Sequence, residues 1–106
     1  MNRHSQVRHT LQAIEQSMRD LMLWQTAPPA VDAFSSTEPF YLDTMQPEQW
    51  LQWVLLPKMF HLLDTDAALP ARFAIASYFE ETLQDLQYTP LLDLLRQLDA
   101  LLKNTL

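Results

Sequence analysis

The segment EPFYLDTMQPEQWLQWVLLPKM, residues Glu38–Met59, decides the fold prediction for this chain. It holds two of the three tryptophans, Trp50 and Trp53, and three of the seven prolines. From Pro47 onward, apolar side chains leave almost no polar face at helical spacing, and a helix of that kind is typically buried. Proline also suits the first turn of a helix. The segment therefore predicts a central helix, the second in the chain, that begins near Pro47.

Pro57 lies inside this predicted helix. It has no N–H to donate to the Trp53 carbonyl, and its ring crowds that turn, at a cost of about 3 kcal/mol in a regular helix. Apolar residues nevertheless continue at helical spacing as far as Leu63. We therefore expect the helix to kink at Pro57 rather than to end there.

Three more helices are predicted, because apolar residues recur at intervals of three and four positions. The first covers about Ser5 to Trp24, the third covers about Ala71 to Gln87, and the fourth begins at Thr89, an N-cap residue followed by proline. The residues expected to face the core are Val7, Leu11, Ile14, Met18 and Leu21, then Phe73, Tyr78, Phe79, Leu83 and Leu86, and finally Leu91, Leu94, Leu95, Leu98, Leu101 and Leu102.

The stretch Gln25 to Gln46 shows neither helical nor strand periodicity. Irregular stretches of this length are uncommon inside compact domains. This one is too apolar to favour disorder, so we expect an ordered loop that lies on the helices. The residues expected to pin it are Val31, Phe34, Phe40, Tyr41, Leu42 and Met45.

These elements predict an all-α fold: a four-helix bundle with a long ordered loop between helices 1 and 2 and a proline-kinked central helix 2. A chain of 106 residues is expected to form one domain, residues 1–106. It is long enough to bury a core of its own.

The composition argues against several classes of function. With no glycine and no cysteine, the chain lacks the usual phosphate loops, nucleophile elbows, disulfides and thiolate metal sites. Its net charge of −6 makes direct nucleic-acid binding and membrane-surface binding unfavourable. No apolar run is long enough to span a bilayer, and no signal-peptide pattern is present. We therefore expect a cytoplasmic protein that is not bound to a membrane.

The polar residues do not form a recognisable catalytic or metal-binding pattern. His61 and Asp64 could share a helical face, but the Glu-x-x-His pairs of di-iron bundles are missing. Ser35 and Ser36 have no elbow around them, and turn chemistry explains them equally well. We expect no enzymatic activity, no metal and no cofactor.

The aromatic segment offers a candidate binding surface instead. Clustered aromatic residues are usually core, but an uncovered edge would bind a protein partner, because rigid aromatic side chains dominate interface energetics. Lys58 is expected to reach the surface or to be ion-paired. The candidate partner-binding residues are Phe40, Tyr41, Met45, Trp50, Trp53 and Lys58.

A second hypothesis fits the same residues. A helical bundle could bind a small ligand in a pocket between the helix 1–2 loop and helix 2, with Lys58 and His61 as polar handles. The sequence leaves homo-oligomers open as well.

The central motifs resemble the bacterial YqcC-like family. Its pattern is Pro-Phe, Asp-Thr-Met, Trp-Leu-Gln-Trp-Val, Pro-x-Met and a double leucine, and the resemblance spans nearly the whole chain. These motifs fall on Pro39-Phe40, Asp43-Thr44-Met45, residues 50–54, Pro57 with Met59, and Leu62-Leu63.

The resemblance implies a closed four-helix bundle of uncharacterised function. It also implies that members of the family are often encoded beside a tRNA pseudouridine synthase. It therefore suggests such a synthase as the protein partner. Two positions depart from the family pattern. Lys58 stands where arginine is common, which weakens bidentate anion binding there, and Ser77 stands where proline is common.

Overall fold

The computed structural model describes residues 2–70 and 74–103, and within them the chain is helical without strands. Helix α1 is Arg3–Asp20. Helix α2 runs over residues 47–64 as three consecutive helical segments, Pro47–Trp50, Leu51–Leu55 and Leu56–Asp64. Helix α3 is Ala76–Thr82, and helix α4 is Thr89–Lys103. The predicted all-α, four-helix fold is confirmed.

The core lies mainly between α1 and α4, which are far apart in sequence but pack against each other. The predicted stripes of both helices are inside: Val7, Leu11, Ile14 and Met18 on α1, and Leu91, Leu95, Leu98 and Leu102 on α4, are all 0% exposed. Helix α1 also packs against the last segment of α2, and α3 packs against α4. Burial of these apolar stripes is the main source of stability.

Helix α2 is buried along one side only. It buries a stripe that includes Leu51, Leu55 and Met59, whereas Pro57 and Lys58 are exposed. The sequence pattern favoured burial on all faces. The difference arises because the large aromatic residues Trp50, Trp53 and Phe60 are only partly buried and line clefts beside the helix.

The helix continues through Pro57, and its irregularity lies just before the proline. Residues Leu51–Leu55 form a π-helical turn, and the Leu56 N–H bonds to the carbonyl of Leu51, five residues back. A π turn widens the backbone spiral locally. That widening gives room to the Pro57 ring where a regular turn would place it against a carbonyl.

Helix α1 ends earlier than predicted, at Asp20 instead of Trp24. Met22 has a left-handed backbone (φ 60°), and its N–H bonds to the Arg19 carbonyl at 3.1 Å. The Leu23 N–H bonds to the Met18 carbonyl at 2.8 Å. These two bonds form a Schellman C-cap, which usually needs glycine at the left-handed position.

Helix α3 is much shorter than the predicted span of 71–87. Its N-terminal amides are capped from another helix, because the Asp99 carboxylate accepts hydrogen bonds from the N–H groups of Ile75 and Ala76 at 2.9–3.1 Å. It ends at Thr82. Leu86, predicted to face inward, is 85% exposed because it lies in a separate 3₁₀ turn. Predicted Phe73 lies outside the described residues.

The long loop contains two 3₁₀ turns, Val31–Ser35 and Pro39–Tyr41. Of the six predicted pinning residues, Met45 is buried, and Phe40 is partly buried and packs against the core. Val31 is 89% exposed, which makes its predicted role wrong, and Leu42 and Phe34 are also exposed. Apolar character alone does not reveal which side chains of an irregular segment point inward.

In the described part of the chain, no helix combines the length and apolar character needed to cross a membrane.

Candidate functional site

The structure separates the six predicted partner-binding residues into three environments. Phe40 and Met45 are packed into the protein. Tyr41, Trp50 and Lys58 line one cleft beside α2, and Trp53 lines another.

Phe40 holds the loop to the helices through its aromatic ring. The ring stacks on Tyr78 at a centroid distance of 4.1 Å and an interplanar angle of 6°. It also meets Trp50 edge-on at 4.9 Å. Phe40 and the following Tyr41 both have left-handed backbones (φ 58° and 49°). Such a conformation costs about 1–2 kcal/mol per residue, so the ring contacts must offset it. Phe40 is therefore a structural anchor of the loop, and its partly buried ring also lines a small cleft beside Tyr78.

Tyr78 titrates abnormally in this aromatic cluster. Its pKa is raised first by partial burial, which disfavours the phenolate, and second by the negative charge of Glu48. The neutral phenol is thus the form that the cluster accommodates.

The first cleft, here called the lysine cleft, has a volume of about 300 Å³. It lies between α2 and the loop. Its lining residues are Tyr41, Trp50, Val54, Leu55, Lys58, Met59 and Pro70. Lys58 is exposed, as predicted, and no carboxylate of the described residues forms an ion pair with it. The cleft therefore combines two aromatic rings with one uncompensated positive charge.

The second cleft, here called the indole cleft, is larger, with a volume of about 510 Å³. It lies between the end of α1, the segment that follows it, and α2. Its lining residues are Glu15, Arg19, Trp24, Gln25, Thr26, Gln52, Trp53, Leu56, Pro57 and Phe60.

A buried glutamine fixes one wall of the indole cleft. Gln52 is 4% exposed. Its carboxamide pairs with the main chain of Gln25: Gln52 Oε1 accepts from the Gln25 N–H, and Gln52 Nε2 donates to the Gln25 carbonyl, both at 2.8 Å. Gln25 Oε1 in turn accepts from Trp53 Nε1 at 3.4 Å and from Gln49 Nε2 at 3.5 Å. The segment after α1 is thereby attached to α2 at a defined place.

Sequence reasoning missed this glutamine network. Gln52 is a polar residue at a position that the apolar pattern of α2 buries, and a buried amide needs partners. That signal could have identified Gln52, but no sequence signal names Gln25 as its partner.

An ion pair also lines the indole cleft. Arg19 donates from Nε at 3.2 Å and from Nη2 at 3.0 Å to the same oxygen, Oε2 of Glu15. Its guanidinium also lies over the Trp24 ring, 4.4 Å from the centroid, which is a cation–π contact.

His61 does not take the predicted role of a polar handle beside Lys58. It is exposed and is not among the residues that line the lysine cleft. In the described part of the chain, no group of three or more His, Asp or Glu side chains is placed to hold a metal ion.

Asp43 and Thr44 brace the loop, whereas Gln46 caps α2. Thr44 Oγ1 donates to the Ala33 carbonyl at 2.8 Å, and Ser36 donates to the Asp43 carboxylate. Gln46 and Gln49 form a reciprocal capping box at the start of α2.

Comparison with known proteins then places the chain in a family. The DUF446 family model, described as "tRNA pseudouridine synthase C", matches residues 6–101. The protein YqcC of Escherichia coli K12, described as uncharacterised, is 45% identical over 103 residues, which cover 95% of this chain and 94% of YqcC. This chain belongs to the YqcC-like family. An uncharacterised protein of Haemophilus influenzae is also 45% identical, over 92% of this chain and 90% of that protein.

The solved structure of a family member shows the same fold. The solution NMR structure of E. coli YqcC superimposes with a TM-score of 0.87 at 43% identity, covering 98% of this chain and 91% of that one. The predicted family is thus confirmed by both sequence and structure.

One YqcC-like relative is much longer. A protein of Pectobacterium carotovorum named tRNA pseudouridine synthase C is 57% identical over 70 residues, 66% of this chain but 19% of that protein. This chain therefore spans about a fifth of the length of that relative.

Proposed function

We propose that this YqcC-like protein is a non-enzymatic accessory module that binds a tRNA pseudouridine synthase. The observation that carries the proposal is the Pectobacterium relative, in which a 70-residue YqcC-like segment is part of a far longer protein named as such a synthase. Joining two domains in one chain raises their effective concentration to about the millimolar range. Such a link is useful when the two domains work in contact. We propose the same contact for this family member.

The lysine cleft is the proposed docking site. Tyrosine and tryptophan are enriched among the residues that dominate binding energy. Tyr41 and Trp50 line this cleft beside Lys58, whose charge has no ion-pair partner among the described residues. A partner segment with an apolar side chain and a nearby Asp or Glu would complement it.

Lys58→Glu tests this placement. The Kd of the purified chain for the tRNA pseudouridine synthase C of the same organism would be measured by isothermal titration calorimetry. We expect Lys58→Glu to weaken binding by about tenfold or more, because like charges would face each other across the interface. Lys103→Glu, which reverses the other lysine at the distant end of α4, should leave the Kd within about twofold.

Tyr41→Asn is the second variant. Asparagine tolerates the left-handed backbone at this position, so the ring is lost without added strain. Loss of the ring should weaken binding by about tenfold. No binding by the wild type would overturn the function, whereas unchanged binding by both variants would overturn only the placement.

A further inference from the structure

We propose that the indole cleft binds a neutral, planar heteroaromatic ring that carries both hydrogen-bond donors and acceptors, as a nucleobase does. This cleft is separate from the lysine cleft. Its volume of about 510 Å³ lies in the range of about 300–1,000 Å³ that is typical of small-molecule sites.

The apolar lining favours a flat ligand. Trp24, Trp53 and Phe60 line the cleft together with Leu56 and Pro57. Aromatic faces bind planar rings by stacking, and they do so for any base because every base has a π-face.

The polar lining offers hydrogen bonds that the protein itself uses poorly. Trp53 Nε1 reaches Gln25 Oε1 only at 3.4 Å, which is longer than the usual range of about 2.7–3.2 Å. The Gln25 Nε2 group has no acceptor among the described residues. An acceptor on the ligand edge would satisfy these donors better than the protein does.

The charges of the lining cancel. Among the residues that the structure describes, Glu15 and Arg19 are the only ionisable ones that line the cleft, and they pair with each other. A charged ligand would gain no net attraction there. Arg19 directs two hydrogen bonds to one Glu15 oxygen, Oε2. The other Glu15 oxygen, Oε1, accepts no hydrogen bond from the described residues, so the lining that holds the Gln25 and Trp53 donors also holds an acceptor, which matches a ring edge with both kinds of group.

Indole N–H signals locate the binding directly. The chain has three tryptophans, so a ¹⁵N-labelled sample gives three indole signals, assigned with single Trp→Phe variants. Uridine and adenosine are the probes, with benzoate and benzylammonium as charged planar comparators. We expect the signals of Trp24 and Trp53 to shift and that of Trp50 to stay unchanged. The nucleoside Kd should be about 0.1–1 mM, an affinity within reach of a ligand of this size.

Gln25→Leu tests the polar wall, since the clamp by Gln52 uses only the main chain of residue 25. It should weaken nucleoside binding by about tenfold. Gln12→Leu, at an exposed position of α1, should not change it. If Gln25→Leu lowers the melting temperature strongly, the wild-type titration with the two charged comparators still decides the proposal.

A free nucleoside and an unpaired base in RNA offer the same ring, and a hexauridylate titration at two salt concentrations distinguishes them. If hexauridylate binds with an affinity close to that of uridine and independent of salt, the ligand is the nucleoside alone. If hexauridylate binds more tightly, with an affinity that depends on salt, and shifts the same two indole signals, the ligand is RNA. The proposal is overturned if neither probe shifts those signals at about 5 mM, or if a charged comparator binds as tightly. The isolated chain is used throughout, so the outcome is independent of any synthase.

Discussion

At the scale of single residues, the chain builds left-handed turns without glycine. Met22, Phe40, Tyr41 and Asp66 all have φ between 49° and 60°, and each costs about 1–2 kcal/mol relative to a right-handed conformation. At Phe40 the aromatic stack compensates. Met22 has no such compensation, because it is 91% exposed.

Met22→Gly should therefore stabilise the protein. Relief of the left-handed strain, about 1–2 kcal/mol, exceeds the extra unfolded-state entropy of glycine, about 0.4–1 kcal/mol. The net gain of about 0.5–1 kcal/mol should raise the melting temperature by roughly 2–6 °C, measured by circular dichroism. Gln12→Gly, within α1, is the matched control and should lower it by a similar amount. A lower melting temperature for Met22→Gly would contradict the strain argument.

Tyr78 makes stability sensitive to alkaline pH. Its pKa is raised in the folded protein, so above the ordinary value near 10 the unfolded chain loses this proton while the folded chain keeps it. Stability is unaffected below that pH and falls as pH rises beyond it. In a titration of phenolate absorbance, one of the three tyrosines should ionise late. Tyr78→Phe should remove that late step, and Tyr88→Phe should leave it in place.

At the scale of elements, α3 depends on a side chain of α4. The Asp99 carboxylate accepts hydrogen bonds from the N–H groups of Ala76, the first residue of α3, and of Ile75 just before it. The helix cannot satisfy these groups itself, because the first amides of any helix have no intrahelical partner. The same contact joins the two helices.

Asp99→Ala should lower the free energy of unfolding by about 1–3 kcal/mol, since charged hydrogen bonds to a helix N-terminus are lost. Urea denaturation measures the change. Asp93→Ala, on the same helix, removes only an exposed ion pair with Arg96 and should cost less than about 1 kcal/mol. If the two substitutions lower the free energy of unfolding equally, the Asp99 cap stabilises the protein no more than an exposed ion pair does.

At the scale of the whole molecule, stability is distributed unevenly. The contact between α1 and α4 holds the fully buried side chains, whereas the loop is held by a few contacts around Phe40, Met45 and Gln25. Hydrogen exchange should reveal this. Amides within Val7–Met18 and Leu91–Leu102 should exchange only through global unfolding, and those of residues 31–44 through local opening. This expectation is contradicted if the amides of residues 31–44 are as strongly protected from hydrogen exchange as those of α1.

The periodic parts of the fold could be predicted from the sequence. The buried stripes of α1 and α4 follow from the spacing of apolar residues, because that spacing fixes which helical face leaves water. The start of α2 at Pro47 follows from the preference of proline for the first helical turn. The family motifs around Trp50 and Pro57 likewise predict the YqcC-like fold, and the structure of E. coli YqcC confirms it.

Only the tertiary structure decided the rest. It ended α1 at Asp20, shortened α3, placed a π turn before Pro57, and separated Trp53 from Trp50 into different clefts. These features depend on which distant groups meet, such as Asp99 with the α3 amides or Gln52 with the Gln25 main chain. Local periodicity carries no information about such contacts, because they form only when the helices pack.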